Sequence, residues 1–316
     1  MNADKNNDKP GRKNRSLFAA LTDIRHPVHR LAILVIVLSL LLADCTGLFF
    51  RPTRQFIDDP LVTSYTPQDV YFKSPDGLLL HGWYFRARNE KGTILVCHGN
   101  VENVSTHAKL DLWLVDAGYN VFIFDYRGYG RSQGVADVKG VHLDAEAALE
   151  TVLFSVPREI QDAIIVSGKS LGGAIAVYTI AHSRYKDRVK ALVLDSVFSS
   201  YRRIAREKVA DSIVGWPFQY PLSYLVNDDY SPERFIAQVA PIPIEIVHGS
   251  EDRIVPIHHG RMLYDAATAP KQFREIALPG HVLAQADAMT REQLLAFFGS
   301  LPEDSRERAN AGIKRP

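Results

Sequence analysis

Ser170 is the residue of this chain best placed to act as a nucleophile. It lies in Gly168-Lys169-Ser170-Leu171-Gly172, after an apolar β-branched run, Ala163-Ile164-Ile165-Val166, and before a helix-prone stretch that starts at Ala174. G-x-S-x-G at a strand-to-helix turn predicts strained backbone at the serine, with its hydroxyl raised above a sheet. The flanking glycines let strand and helix approach without a Cβ clash. A hydroxyl is a weak nucleophile and needs a base beside it. Imidazole can take the proton and return it, while a carboxylate fixes the tautomer and stabilises the imidazolium. Asp252, in His248-Gly249-Ser250-Glu251-Asp252, and His281, after Pro279-Gly280, supply those parts in the chain order Ser…Asp…His. Asp195 competes for the acid, since it also follows an apolar run. His258 and His259 compete for the base, but they follow Pro256 and read as the first turn of a helix.

These residues need a scaffold that brings distant strand ends together. Strands are expected at 69–72, 78–85, 93–97, 120–124, 163–166, 191–194, 244–247 and 273–276. Helical patterns fall at 106–117, 138–154, 172–182, 258–267 and 291–298. The first two strands flank Ser74-Pro75-Asp76-Gly77 and read as a hairpin. The remaining alternation means βαβ units, a mostly parallel twisted sheet and helices on both faces. Ligands of such sheets bind at the carboxyl ends of the strands, where every candidate above is placed. Residues 198–240 interrupt the alternation and read as a short helical cap. Its Trp216, Phe218 and Tyr224 are candidates to line a substrate site, or else mere packing over the sheet edge. His98 and His248 are expected to hydrogen-bond within their loops. Asp125 and Arg127 are expected to be structural, a buried carboxylate met by turn N–H groups and a paired guanidinium.

Composition excludes little but bounds the partners. With 316 residues, 46% hydrophobic and 23% charged, the chain can bury a large single core. A net charge of +1 implies no nucleic-acid partner. No His/Cys/Asp/Glu spacing suggests a metal and no glycine-rich phosphate loop occurs, so no cofactor is expected. The oligomeric state is not legible.

Residues 1–30 form a basic leader, expected to be disordered. The apolar run 31–42 spans about 18 Å as a helix, too short to cross a hydrocarbon core of about 30 Å. Extended to Phe50 it is long enough, with Asp44 near one end. Leu42-Ala43-Asp44-Cys45 resembles a lipoprotein cleavage box, with Asp44 where a small residue is usual. Residues 31–50 are therefore either a signal whose Cys45 becomes lipidated or an uncleaved anchor. Both put the chain after Arg51 outside the cytoplasm, in a bacterial periplasm or envelope. Residues 51–68 read as a linker, 69–299 as the catalytic domain and 300–316 as a charged tail.

At this point a family resemblance emerges. His98-Gly99-Asn100, Asp125-Tyr126-Arg127-Gly128-Tyr129-Gly130-Arg131-Ser132, the serine turn, His248 to Asp252 and Pro279-Gly280-His281 resemble the α/β-hydrolase superfamily. The likeness is to its serine-hydrolase branch, in the prolyl-oligopeptidase-like and esterase-like members with a short cap. It implies an α/β-hydrolase fold, a Ser170-His281-Asp252 triad, and an oxyanion hole from the backbone N–H groups of Leu171 and Asn100. The activity it implies is hydrolysis of esters or thioesters, of a small molecule or an acyl-lipid. A peptidase or amidase, and a non-catalytic membrane-anchored binding protein on the same fold, are the alternatives.

Overall fold

The computed structural model describes residues 49–158 and 164–302, apart from 212, 214 and 283. Eight strands form one sheet: β1 (Gln68–Lys73), β2 (Leu79–Phe85), β3 (Gly92–Cys97), β4 (Tyr119–Asp125), β5 (Ile164–Lys169), β6 (Val189–Asp195), β7 (Ile244–Glu251) and β8 (Lys271–Pro279). Their spatial order is β8-β7-β6-β5-β3-β4-β2-β1. β2 runs antiparallel to β1 and β4, and every other neighbouring pair is parallel. The reversal between β1 and β2 is the expected turn, with Gly77 at φ 91°.

Burial explains the strand sequences. β3, β4 and β5 are buried at every residue, because helices cover both faces, so they read as unbroken apolar runs. The edge strands β1 and β8 alternate between exposed and covered positions, as strands with one wet face do.

Five longer helices flank the sheet: α1 (Val138–Phe154), α2 (Leu171–His182), α3 (Tyr201–Ala210), α4 (His258–Ala266) and α5 (Ala288–Gly299). Asp137 caps α1 by accepting the Gly140 N–H, and Asp287 caps α5 through Thr290. The helix expected over 106–117 is instead broken into Val104–His107, a 3₁₀ turn Ala108–Leu110 and Leu112–Asp116. Asp111 sits at the break because its carboxylate turns inward to an ion pair with Lys169.

The stretch 51–68 is more than a linker. Arg51–Pro52 pairs in parallel with Val101–Glu102, and Arg54 donates to the Ser132 carbonyl. Pro60–Ser64 forms a helical turn with Pro60 at its first position and the Asp59 side chain on the Leu61 N–H. Polar backbone beside a buried loop had to be paired, and this segment pairs it. Residues 1–30, 31–48 with Cys45, and the tail from 303 lie outside the described residues.

Candidate active site

β5 ends at Lys169 and α2 begins at Leu171, leaving one residue for the turn. That residue, Ser170, takes φ 51° and ψ −119°, a strained conformation for a side chain with a Cβ. Its hydroxyl makes no capping bond to α2. Its N–H is held by the Asp195 carbonyl at 2.9 Å. The glycines around it are required by close approach. A Cβ on Gly168 would fall within 3.0 Å of the Gly173 backbone, one on Gly172 within 3.0 Å of the Cys97 carbonyl, and one on Gly173 within 3.0 Å of Val197.

The loops after β7 and β8 carry Asp252 and His281. His281 Nδ1 lies 2.7 Å from Asp252 Oδ2. Asp252 Oδ1 accepts the N–H groups of Ile254 (2.8 Å) and Val255 (3.0 Å). Burial tends to raise the Asp252 carboxyl, but the His281 hydrogen bond and charge and these two N–H groups outweigh it. The net result is below the ordinary value. An ionised carboxylate can only accept, so Nδ1 carries the proton and Nε2 is free to act as a base. The His281 side chain is partly exposed and that of Asp252 is fully buried. Among the described residues no hydrogen bond joins Ser170 and His281.

The competing residues have other partners. Asp195 is buried, and burial pushes its carboxyl up to about 6, offset in part by Lys169. It accepts the Ser196 hydroxyl at 3.0 Å, and Ser196 Oγ in turn accepts the Val282 N–H at 3.2 Å. Asp195 thus holds the loop that carries His281 without a hydrogen bond to its ring. Ser196 and Val282 both have positive φ, 57° and 59°, so this link is made at a cost in backbone strain. His258 and His259 lie on α4 and meet Glu207 of α3 at 3.1 and 3.0 Å. His259 Nδ1 accepts the Ser199 N–H at 3.1 Å, which puts the ring proton on Nε2, facing Glu207. That is a hydrogen-bonded tie between cap and core. An Nε2 that carries a proton is not a metal ligand.

The His98-Gly99-Asn100 loop follows β3 and abuts the serine. A Cβ on Gly99 would lie 4.0 Å from Ser170 Cβ. The Asn100 carbonyl accepts the Arg51 N–H at 2.9 Å and the Tyr129 hydroxyl at 2.8 Å. The His98 carbonyl accepts the Tyr126 hydroxyl at 3.2 Å. Leu171 is the first residue of α2, so its N–H has no acceptor within the helix. His98 Nδ1 lies 2.7 Å from the Gly99 carbonyl and His248 Nε2 lies 2.8 Å from that of Val255, each within its own loop.

Asp125 and Arg127 both have structural partners, a backbone N–H for the buried carboxylate and carboxylates for the guanidinium. Asp125 accepts the Val104 N–H, whereas Arg127 reaches Asp144 of α1 and Asp76 of the hairpin turn. Trp216, Phe218 and Tyr224, the candidates to line a substrate site or to pack over the sheet edge, are 62%, 54% and 70% exposed.

Sequence reasoning missed the strap at Arg51, the two tyrosines that hold the loop carbonyls, and the buried Lys169–Asp111 pair. Only the tyrosines had a signal, since both fall in the motif after β4. Cys97 is buried and its thiol is pushed up to about 12 by burial, which leaves it inert.

Comparison with known proteins places this geometry. Residues 88–216 match the family model described as serine aminopeptidase, S33. The uncharacterized protein YfhR of Escherichia coli K12 is 32% identical over 285 residues, 86% of this chain and 96% of that protein. A yeast relative named as an uncharacterized membrane protein, YNL320W of Saccharomyces cerevisiae, is 27% identical over 72% of this chain and 78% of its own length. The structure of the Pyrococcus furiosus esterase Pf2001 superposes with a TM-score of 0.62 at 20% identity, over 79% of this chain and 96% of that one. That likeness carries the fold. Eight strands in this order, a serine at the β5–α2 turn and relatives along nearly the whole chain lead to one conclusion: this protein is a member of the α/β-hydrolase superfamily.

Proposed function

We propose that this protein is a serine hydrolase that cleaves carboxylic esters or thioesters through an acyl-enzyme. Ser170 Oγ attacks the acyl carbon while His281 Nε2 takes its proton. The N–H groups of Leu171 and Asn100 stabilise the oxyanion, and His281 returns the proton to the departing alcohol or thiol. Water, deprotonated by the same histidine, then releases the acid and restores Ser170. Asp252 holds the imidazole in the tautomer this needs. The observation that carries the reading is the strained, uncapped Ser170 at the head of α2, on the same sheet end as the hydrogen-bonded Asp252–His281 pair.

The test is labelling with a fluorophosphonate probe and turnover of p-nitrophenyl esters of graded chain length. Ser170→Ala should abolish both. Asp252→Asn should lower kcat by about 10⁴ by favouring the wrong tautomer, and Asp195→Asn by far less. An unlabelled Ser170 would sink the enzyme reading and leave a binding protein on a hydrolase fold. The matched family model favours one further reading, an aminopeptidase. Turnover of aminoacyl p-nitroanilides exceeding that of the esters would establish it.

Residues 31–50 are proposed to attach the protein to a membrane with its catalytic domain outside the cytoplasm. Among the described residues no helix is long and apolar enough to cross one. Metabolic palmitate label that disappears in Cys45→Ser would identify a lipoprotein, and an unchanged full-length intact mass an uncleaved anchor.

A further inference from the structure

Between α3 and β7 the chain exposes large apolar side chains that the fold leaves uncovered. Trp216, Phe218, Tyr220 and Tyr224 are 62%, 54%, 57% and 70% exposed. The first three occupy the 3₁₀ turn Trp216–Phe218 and the short helix Gln219–Ser223 that follows it, and Tyr224 is the next residue, at that helix's C-cap. Tyr220 and Tyr224 stand one turn apart, and the Tyr224 N–H bonds the Tyr220 carbonyl. Arg206 and Arg202, also one turn apart on α3, each place a guanidinium 5.4 Å from the centroid of one of these rings. Among the described residues neither arginine has a carboxylate partner, whereas Arg203 and Lys208 of the same helix do. The face is therefore two arginine–tyrosine rungs beside a Trp-Pro-Phe tip.

Scattered apolar residues on a surface need no explanation, but a contiguous set does. Tryptophan and tyrosine with an apolar body and a polar tip suit the boundary between lipid chains and headgroups. Arginines without acidic partners suit anionic headgroups. The entry point of the chain selects a lipid surface over a protein one. The Phe49 ring packs edge-on against Tyr201, the first residue of α3, at 5.1 Å between centroids, and against Phe198 at 6.3 Å. The apolar run ends at Leu42, and the step from there to Phe49 reaches about 25 Å at most. A membrane that holds the apolar run is thus tethered to the helix that carries the two arginines.

We propose that the cap face formed by Trp216, Phe218, Tyr220 and Tyr224, with Arg202 and Arg206, docks on an anionic lipid bilayer. This rests on the proposed membrane attachment of residues 31–50 and not on the hydrolase reading. It is tested with the full-length chain reconstituted into vesicles of phosphatidylcholine, with or without phosphatidylglycerol, whose acyl chains are brominated or not. Bromine quenches only indole that enters the lipid. Trp83 and Trp113 pack on the core, so Trp216 is the exposed emitter.

The expected result is emission quenched by brominated anionic vesicles. Most of that quenching should be lost in Trp216→Phe. It should weaken several-fold in the Arg202→Glu, Arg206→Glu double variant and in high salt. Equal emission from brominated and plain vesicles would overturn the proposal, as would quenching that survives in Trp216→Phe. Quenching unmoved by the charge reversal would overturn the anionic surface. Trp216 protected from acrylamide yet unquenched by lipid would assign the face to a protein partner instead.

Discussion

The proposed reactive residues lie among a few held in costly conformations. Ser170, Ser196 and Val282 all have positive φ without being glycine: Ser170 is the proposed nucleophile, Val282 follows His281, and Ser196 accepts the Val282 N–H. Such strain persists only where neighbours over-determine it. Ser170 is held by the Asp195 carbonyl, and Val282 by the Ser196 hydroxyl. The Asn100 peptide is held in the same way, with its carbonyl tied by Tyr129 and Arg51. A first prediction concerns that tie. Tyr129→Phe frees one side of the Asn100 carbonyl and should misalign its N–H without removing it. An oxyanion donor is worth about 10²–10³ in rate, and partial misalignment should cost about tenfold in kcat with KM little changed. A larger rise in KM than fall in kcat would show that Tyr129 serves substrate binding instead.

At the scale of elements, the serine turn depends on three backbones passing closely. The Gly172 Cα faces the Cys97 carbonyl at the end of β3, so α2, β5 and β3 meet where no side chain fits. Gly172→Ala should destabilise by a few kcal/mol through overpacking against backbone that cannot yield. Gly77, at φ 91° in the hairpin turn, has nothing within 4 Å of a built Cβ. Gly77→Ala should cost only about 1 kcal/mol, from backbone conformation alone. Thermal unfolding of both variants checks the contrast, and equal shifts would mean that the crossing at Gly172 can relax. The tie from Glu207 to His258 and His259 belongs to this scale as well. Burial pushes the His259 ring down to about 4, so the cap helix is fastened to α4 by a neutral imidazole in ordinary conditions.

For the molecule as a whole, Asp195 links the site to stability. Its folded pKa of about 6 lies above the ordinary carboxyl value. Between the two values the folded state binds more protons than the unfolded one, so stability falls as pH rises through that window. Below it the contribution is fully present, and above about pH 6 it is lost. Asp195→Asn removes the titration. The variant should gain on the wild type as pH rises from about 4 to about 7, by up to about 3 kcal/mol. Denaturant unfolding of both proteins across that range is the measurement, and a constant difference would show that Asp195 does not titrate there.

The local chemistry of the chain determined the alternating strands and helices, the hairpin turn and the serine at a strand end. Apolar runs report burial directly, and glycine spacing reports close approach. Chain order also singled out Asp252 and His281, which the fold brings to 2.7 Å from one another. What only the tertiary structure decided is where polar groups find partners across long separations. Arg127 bonds Asp144 and Asp76 rather than its neighbour Asp125, and Asp111 breaks a helix to reach Lys169. The Arg51 backbone closes over a loop 49 positions later, at Asn100. The degree to which the cap aromatics Trp216, Phe218 and Tyr224 stay exposed was likewise set by the tertiary structure. Hydrophobic periodicity says which face is buried, because burial acts residue by residue. It says nothing of which buried donor meets which acceptor, because that depends on the crossing of elements that the chain does not place side by side.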